Sequence, residues 1–253
     1  MKNKDRGRKI PSVKELKKLC QKPEPPKYWR DRFLRKISIR FTKLFLMLGM
    51  TPNQVSFLVL IFGIISALFY MTGQYFYLLI GLLFHHLHFI FDGCDGEVAR
   101  FRKTNELEDT RGVYLDGMTH AIVIPLLIMG MAIGSYFNNF TPFPDATFLI
   151  AGFFGGYSLL LLNFSRVKKY EVFTKKGRYD ILKKINRILS GKEGKSNWLR
   201  TEIEFLLGFE LFNLMFVFTI LNLVPYLVLF YAIFFTLFAI RRFYFGYKEV
   251  YRL

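Results

Sequence analysis

Residues 91–121 read FDGCDGEVARFRKTNELEDTRGVYLDGMTHA and place three aspartates beside or inside two apolar segments. Asp92 and Asp95 close one apolar segment, and Asp116 lies near the start of the next. Ionised side chains are costly within a membrane and are retained mostly where they have a function. The fold therefore depends on whether these segments cross a membrane, and the function depends on what the aspartates bind.

The composition indicates that apolar and charged residues occupy different parts of the chain. Of the 253 residues, 52% are hydrophobic and 30 are Phe, yet the formal net charge is +17. A helix that crosses a bilayer needs about 20 predominantly apolar residues. Six segments qualify, near residues 52–72, 75–93, 113–134, 146–165, 203–222 and 224–240. The sequence therefore predicts an all-α integral membrane protein with six transmembrane helices.

The basic residues predict the orientation of these crossings. All 36 Lys and Arg lie in residues 1–43, 100–111, 166–200 and 241–252. Pairs of predicted crossings separate these four segments, so all four share one side, which the positive-inside rule makes cytoplasmic. Both termini are expected on that side, where the positive charge would meet anionic lipid head groups. We expect membrane lipids and no nucleic acid among the partners.

Four parts are predicted along the chain. Residues 1–25 form a basic cytoplasmic segment, and residues 26–48 alternate basic with apolar side chains, which is typical of an amphipathic interfacial helix. Residues 49–243 would form the six-helix catalytic domain, and residues 244–253 a cytoplasmic tail.

The acidic residues fall on helix faces that should meet. At about 100° per residue, Asp92 and Asp95 share a face at the end of the second crossing. Asp116 and His120 are four residues apart, so they share a face at the start of the third crossing. Clustered carboxylates repel one another unless they are protonated or bridged by cations, and oxygen ligands in this number suit Mg²⁺ or Mn²⁺. The alternative is that these carboxylates are simply solvated or paired with arginines of the loop.

The spacing resembles that of the CDP-alcohol phosphotransferase family, whose signature is D-x2-D-G-x2-A-R, about eight residues, then G-x3-D-x3-D. The matching residues are Asp92, Asp95, Gly96, Ala99 and Arg100 in the first half and Gly112 and Asp116 in the second. MTPNQVS, at residues 50–56, is similar to the family's entry into its first crossing. The resemblance covers most of residues 30–240.

The resemblance implies a membrane enzyme that moves a substituted phosphate from a CDP-alcohol to a hydroxyl acceptor and releases CMP, in phospholipid or related lipid biosynthesis. It implies two divalent ions, Mg²⁺ or Mn²⁺, bound by Asp92, Asp95, Asp116 and His120. It implies nucleotide contacts from Gly96, Ala99, Arg100 and Gly112, with Thr51 and Asn53 as weaker candidates that could instead cap a helix. The donor is expected to be a CDP-lipid such as CDP-diacylglycerol, and a homodimer is expected from the family.

This chain departs from the family pattern in two places. Eleven residues separate Arg100 from Gly112 where the family has about eight, which predicts a longer loop. His120 replaces the last aspartate, which in the family binds metal and deprotonates the acceptor. Imidazole can act as a general base, but it prefers Mg²⁺ less than a carboxylate does, so Zn²⁺ is also possible. We expect Asp116 and His120 to be catalytic, with His120 as the base; an orienting hydrogen bond and lost activity are the alternatives.

Three histidines precede the motif in the second crossing. His85 and His88 lie on the stripe that carries Asp92, one to two turns deeper, whereas His86 faces elsewhere. His88 could donate a hydrogen bond to Asp92. The competing interpretation is that these histidines are neutral and bonded to neighbouring helices.

The acceptor site is less well marked. Arg166, Lys168 and Lys169 follow the fourth crossing and could bind a phosphorylated acceptor, or they could be a charged run at the membrane surface. Two rival functions remain open: a catalytically silent homologue that binds nucleotide or lipid, and an ion-coupled transporter.

Overall fold

The structure, a computed structural model, describes residues 10–21, 29–102, 106–138, 140–175, 177 and 213–251. Its helices are α1 (Val13–Cys20), α2 (Trp29–Met47), α3 (Pro52–Met71), α4 (Tyr75–Arg102), α5 (Glu106–Phe137), α6 (Ala146–Lys175) and α7 (Val224–Tyr251). Residues 213–220 are also helical, and none of the described residues lies in a strand. The prediction of an all-α protein is confirmed.

Five helices are long and apolar enough to cross a membrane: Pro52–Met71, Tyr75–Arg102, Tyr114–Phe137, Ala146–Ser165 and Val224–Lys248. They coincide with five of the six predicted crossings and support an integral membrane protein. The remaining crossing is predicted at residues 203–222, and residues 203–212 of it lie outside the described residues. The number of crossings, the side on which the termini lie and the homodimer stay predictions.

The outer faces of these helices carry large apolar side chains. On α6, Ile150 and Phe153 are 58% and 56% exposed, and on α7 Ile233 and Leu237 are 64% and 62% exposed. Extended apolar surface of this kind marks contact with a membrane or another protein. Together with the helix lengths, it is consistent with surfaces that face lipid.

The chain divides into two compact units. The first contains Met1–Phe69 and Phe76–Leu127, and the second contains Tyr70–Tyr75 and Ile128–Leu253. Every residue of the CDP-alcohol-like motif lies in the first unit. The four predicted parts of the chain stay a prediction, although α2 lies within the segment predicted to be interfacial and α7 extends to Tyr251.

An aromatic cluster fixes the rotation of α4 in the first unit. Phe41, Phe45 and Phe62 each contact Phe91 edge to face, with ring centroids 5.2, 5.1 and 5.0 Å from it. Such pairs contribute about 0.5–1.5 kcal/mol each beyond the area that they bury. Because Phe91 directly precedes Asp92, this packing also determines which way the aspartate face of α4 points.

One face of α2 packs inside the first unit. Ser38, Thr42 and Phe45 are buried, whereas Arg40 and Leu44 on the other side are exposed. The helix predicted to lie at the membrane surface is therefore anchored in protein along one side. Its exposed basic and apolar side is the side that is suited to head groups.

The connection between α4 and α5 differs from the prediction. α4 continues to Arg102 and α5 begins at Glu106, so the extra residues between Arg100 and Gly112 are mostly helical. The prediction of a longer loop is wrong. Residues 106–110, ELEDT, combine helix formers with acidic side chains, which favour the N-terminal turns of a helix.

Small residues allow close helix packing in the second unit, where α6 lies along α7. A Cβ atom at Gly155 would lie 3.5 Å from the backbone of Ala232. Three residues further on, the hydroxyls of Ser158 and Thr236 are 3.1 Å apart and form a hydrogen bond. Small residues and hydroxyl pairs are typical of helix contacts within membranes.

Candidate active site

The structure brings Asp92 of α4 together with Asp116 and His120 of α5. Nε2 of His120 lies 3.1 Å from Oδ1 of Asp92 and 3.2 Å from Oδ1 of Asp116. The three residues offer ligand atoms that all lie within 4.8 Å of one another, which is close enough to hold one metal ion. The two helix faces predicted from residue spacing therefore meet, and the substituted position, His120, lies between the two carboxylates.

The contacts of His120 restrict its chemistry. An ionised carboxylate only accepts hydrogen bonds, so an imidazole nitrogen that contacts two of them carries a proton there. This hydrogen bonding offsets the repulsion between Asp92 and Asp116. A metal ion binds a histidine nitrogen only when that nitrogen is unprotonated. The proton and a cation therefore compete for Nε2 of His120.

Asp95, which was predicted to be a fourth ligand, has different partners. Its Oδ2 accepts a hydrogen bond from Oγ of Ser56 at 2.7 Å, and its Oδ1 accepts one from the N–H of Gly96. It is not among the three residues whose ligand atoms converge. Ser56 belongs to the MTPNQVS segment at the start of α3, so this bond joins that segment to the aspartate motif.

Arg100, a predicted nucleotide contact, lies directly over Gly96. A Cβ atom at Gly96 would come within 3.1 Å of Nη1 of Arg100, so a side chain there would displace the guanidinium. Nε of Arg100 donates a hydrogen bond to the carbonyl of Cys20 at the end of α1. The motif glycine and arginine thus form one surface on α4, next to Asp95. Ala99 is half-buried on the same helix.

Thr51 forms the N-terminal cap of α3. Oγ1 of Thr51 accepts a hydrogen bond from the N–H of Gln54 at 3.3 Å, and Oε1 of Gln54 accepts one from the N–H of Thr51 at 2.8 Å. This reciprocal pair is a capping box, the alternative role that the sequence left open. Oδ1 of Asn53 lies 4.0 Å from the Cβ position of Gly112, so the start of α3 faces the motif glycine of α5. Nucleotide contacts from Thr51, Asn53 and Gly112 stay predictions.

The buried histidines of α4 support the ring of His120. His88 is 1% exposed, and its Nδ1 hydrogen-bonds to the carbonyl of Val59 at 2.9 Å. The ring of His88 contacts that of His120 edge to face, with centroids 5.9 Å apart, and stacks on the ring of His85. This agrees with the interpretation of His88 as a histidine bonded to a neighbouring helix. The contact between His88 and the site is with the imidazole of His120.

Glu97 was missed by the sequence reasoning. It occupies a variable position of the motif but is only 3% exposed, and its carboxylate accepts hydrogen bonds from Ser38, Thr42 and Gln21. Ser38 and Thr42 are four residues apart, so they lie on one face of α2. The sequence signal that could have indicated this cluster is the pair of hydroxyl residues, Ser38 and Thr42, on a helix whose other residues are mostly basic or apolar.

The basic residues proposed to bind the acceptor lie in the second unit. The side chains of Arg166 and Lys169 lie outside the described residues. Lys168 is exposed, and its Nζ is 2.8 Å from a carboxylate oxygen of Glu171. Hydrogen bonds from Lys168 and Lys175 lower the pKa of Glu171 to about 2. The acceptor role stays a prediction.

The fold and the site together describe a membrane protein with an acidic cluster on two neighbouring helices that could hold a metal ion. A protein-family model described as ceramide phosphoethanolamine synthase matches residues 37–151, which is less than half of the chain. The matched region runs from α2 to α6 and contains every motif residue from Asp92 to His120. No curated protein sequence matches the chain. The chain is thus similar to a family of lipid synthases, which supports a transferase of membrane lipid synthesis.

Proposed function

We propose that this protein is a membrane transferase that moves phosphoethanolamine from CDP-ethanolamine to the hydroxyl of a ceramide-type lipid and releases CMP. The observation that carries the proposal is the convergence of Asp92, Asp116 and His120 within the region similar to ceramide phosphoethanolamine synthases. The resemblance of the motif to CDP-alcohol phosphotransferases supplies the donor class, and the name of the matched family supplies the product class.

In this proposal the acceptor is the lipid, and the CDP-linked donor carries a small alcohol. The donor expected from the sequence, CDP-diacylglycerol, would transfer a phosphatidyl group and could not give ceramide phosphoethanolamine. The product named for the matched family therefore favours a donor whose alcohol is small. CDP-diacylglycerol is the competing donor in the test below.

Asp92, Asp116 and His120 fit a divalent cation in their donor atoms. Carboxylate oxygens suit Mg²⁺ and Mn²⁺, and an imidazole nitrogen extends the choice to Zn²⁺. The bound cation would polarise the pyrophosphate and offset the charge on the departing CMP. The second cation implied by the resemblance would also contact Asp95, whose carboxylate has lone pairs beyond the two that accept the hydrogen bonds from Ser56 and Gly96.

His120 cannot be base and metal ligand in the same step. A histidine that binds metal through Nε2 carries its proton on Nδ1 and has no free lone pair. When Nε2 instead donates to Asp92 and Asp116, Nδ1 is unprotonated in the neutral ring and can accept a proton. A carboxylate that holds a histidine in the tautomer needed for base catalysis is a known arrangement. We assign this second state to His120 during the reaction, so that Asp92 and Asp116 hold the cation and the proton of the acceptor hydroxyl passes to Nδ1.

The test is a donor and acceptor panel with the full chain in lipid nanodiscs. CMP release and lipid products are measured by chromatography and mass spectrometry, with Mg²⁺, Mn²⁺, Zn²⁺ or EDTA. We expect metal-dependent CMP release from CDP-ethanolamine with ceramide, and a product that contains both groups. CMP release only from CDP-diacylglycerol would overturn the assignment of donor and acceptor. Absence of CMP release from every donor would overturn the proposed activity and favour the silent homologue or the transporter.

A further inference from the structure

A buried polar cluster surrounds Glu97 on the side of α4 that faces α2. Oε1 of Glu97 accepts hydrogen bonds from Oγ of Ser38 and from Nε2 of Gln21, both at 2.9 Å. Oε2 accepts one from Oγ1 of Thr42 at 2.6 Å. Burial of a carboxylate is costly unless hydrogen bonds replace its hydration, and here each oxygen has at least one donor. We call Glu97, Ser38, Thr42 and Gln21 the Glu97 anchor.

The Glu97 anchor fixes the end of α1 in the first unit. Nε2 of Gln21, the residue after α1, also donates to the carbonyl of Arg35 at 2.6 Å. One amide group therefore bonds to both α2 and α4. Leu16 and Cys20 are fully buried on the inner face of α1. The Gln21 side chain and these apolar contacts together set the position of the Cys20 carbonyl.

That carbonyl holds the motif arginine. Cys20 O accepts the hydrogen bond from Nε of Arg100, and Arg100 follows Glu97 by three residues, so both lie on neighbouring turns of α4. An arginine side chain has many rotamers and loses much entropy when it is fixed. A backbone acceptor that is itself fixed limits those rotamers before the ligand arrives. The guanidinium then remains over Gly96, which has no side chain to obstruct it.

We propose that Glu97 and Gln21 are positioning residues for Arg100 and act through the Cys20 carbonyl. In this arrangement Nε of Arg100 is held by protein, and its terminal nitrogens bind the phosphates of the CDP donor. The inference rests on the proposed function, because the donor is the ligand of Arg100. Neither Gln21 nor the Cys20 carbonyl belongs to the motif, and Glu97 fills one of its variable positions.

The effect of a positioning residue should disappear when the residue that it positions is removed. We would measure the KM of CDP-ethanolamine and the inhibition constant of CMP for Gln21→Ala, Arg100→Ala and the double variant. We expect both constants to rise about fivefold or more in Gln21→Ala and further in Arg100→Ala, and the double variant to match Arg100→Ala. The KM of the ceramide acceptor should stay unchanged. Glu97→Gln, which keeps the shape and one acceptor oxygen, should retain more CMP affinity than Glu97→Ala.

Ser66→Ala is the matched control, because it removes a buried hydrogen bond of the same unit, from Oγ of Ser66 to the carbonyl of Gly81, away from the anchor. It should leave both nucleotide constants unchanged. Maleimide labelling of Cys20 in a Cys94→Ala background reports the docking of α1 without any nucleotide, and should be faster in Gln21→Ala.

The outcomes separate the two proposals. Additive effects of Gln21→Ala and Arg100→Ala in a protein that releases CMP would overturn the positioning role and leave the activity intact. Unchanged labelling of Cys20 in Gln21→Ala would also overturn it, because α1 would then be docked without the anchor. If the wild type neither releases nor binds CMP, the proposed function fails, whatever the labelling shows.

Discussion

Asp92 and Glu97 lie on the same helix, five residues apart, but their surroundings differ. Glu97 is almost fully buried, and its two oxygens accept three hydrogen bonds from the neutral side chains of Ser38, Thr42 and Gln21. Asp92 is partly exposed and has a second carboxylate, Asp116, across a shared imidazole. A carboxylate with enough donors is stable without further partners, whereas a pair of carboxylates with one N–H between them remains able to bind a cation.

The difference indicates which acidic group is structural and which is available for chemistry. Hydroxyl and amide donors around Glu97 stabilise its negative charge with three hydrogen bonds. Asp92 instead contacts Nε2 of His120, a nitrogen that a cation could replace. Removal of either carboxylate should therefore have different consequences: lost turnover at Asp92, and lost stability and nucleotide affinity at Glu97.

The largest effect is expected from Asp92→Asn and Asp116→Asn. Each keeps the shape of the side chain but removes a negative charge needed for cation binding, so CMP release should fall by about 10³-fold or more. The measurement is CMP release over a range of Mn²⁺ and Mg²⁺ concentrations. Ser135→Ala is the control, because it removes a buried hydrogen bond to the carbonyl of Met131 in the second unit. Activity close to that of the wild type in both aspartate variants would contradict the metal site.

His120→Ala should come next and should separate the two roles of the imidazole. Loss of a general base lowers kcat by about 10²–10⁴-fold and leaves the metal concentration for half-maximal activity unchanged. Loss of a metal ligand instead raises that concentration, and high Mn²⁺ would then restore turnover. His120→Asp introduces the aspartate of the CDP-alcohol phosphotransferase pattern and should regain part of the activity with Mg²⁺. Full activity in the alanine variant would eliminate the base role.

The sequence was sufficient to predict the meeting of Asp92, Asp116 and His120 because their spacing is local. Residues three or four apart share a helix face, and a short connection makes the two helices neighbours, so no distant information was needed. The apolar lengths of the crossings were predictable for the same reason. Five of them appear as helices that could span a membrane.

Partners from distant segments could not be predicted in this way. Glu97 is bonded to Ser38, 59 residues away in the sequence, and Asp95 to Ser56, 39 residues away. Which hydroxyl reaches which carboxylate depends on the rotation of α2 and α3, and side-chain packing determines that rotation. His88 shows the same limit: its helical position was compatible with a hydrogen bond to Asp92 or to a neighbouring helix, and the structure shows one to the carbonyl of Val59.

Thr42→Val would test the structural role of Glu97. Valine has nearly the shape of threonine but leaves Oε2 of Glu97 without its donor. A hydrogen bond to a charged group contributes about 1.5–3 kcal/mol, so the free energy of unfolding should fall by about that amount. Thr236→Val removes a hydrogen bond between two neutral groups, which is worth about 0.5–1.5 kcal/mol. Unfolding in mixed micelles would compare them, and an equal loss in both variants would contradict a charged Glu97.

Ser56→Ala should have a smaller effect on catalysis. It frees Oδ2 of Asp95, which now accepts the hydrogen bond from Ser56. Loss of a residue that orients a metal ligand typically costs about 10–100-fold in metal affinity or activity. If Asp95 helps to bind a second cation, we therefore expect the metal concentration for half-maximal activity to rise by a factor of this size. A metal titration that is unchanged from the wild type would assign Asp95 to structure alone, like Glu97.

The smallest effect is expected from Glu171→Gln, which tests whether a carboxylate in a surface ion pair behaves like Asp92 or like Glu97. The pKa of Glu171 is lowered from 4.5 to about 2 by its lysine partners, so any stability from the pair is present above about pH 4.5 and is lost as the pH falls towards 2. The pair lies at the surface, with the Glu171 side chain 38% exposed, and surface pairs contribute little, so the unfolding midpoint at pH 7 should not change measurably. The substitution also releases Lys168 from its ion pair. With ceramide as acceptor, KM should stay constant; a lower KM for a phosphorylated acceptor would instead show that Lys168 binds that phosphate.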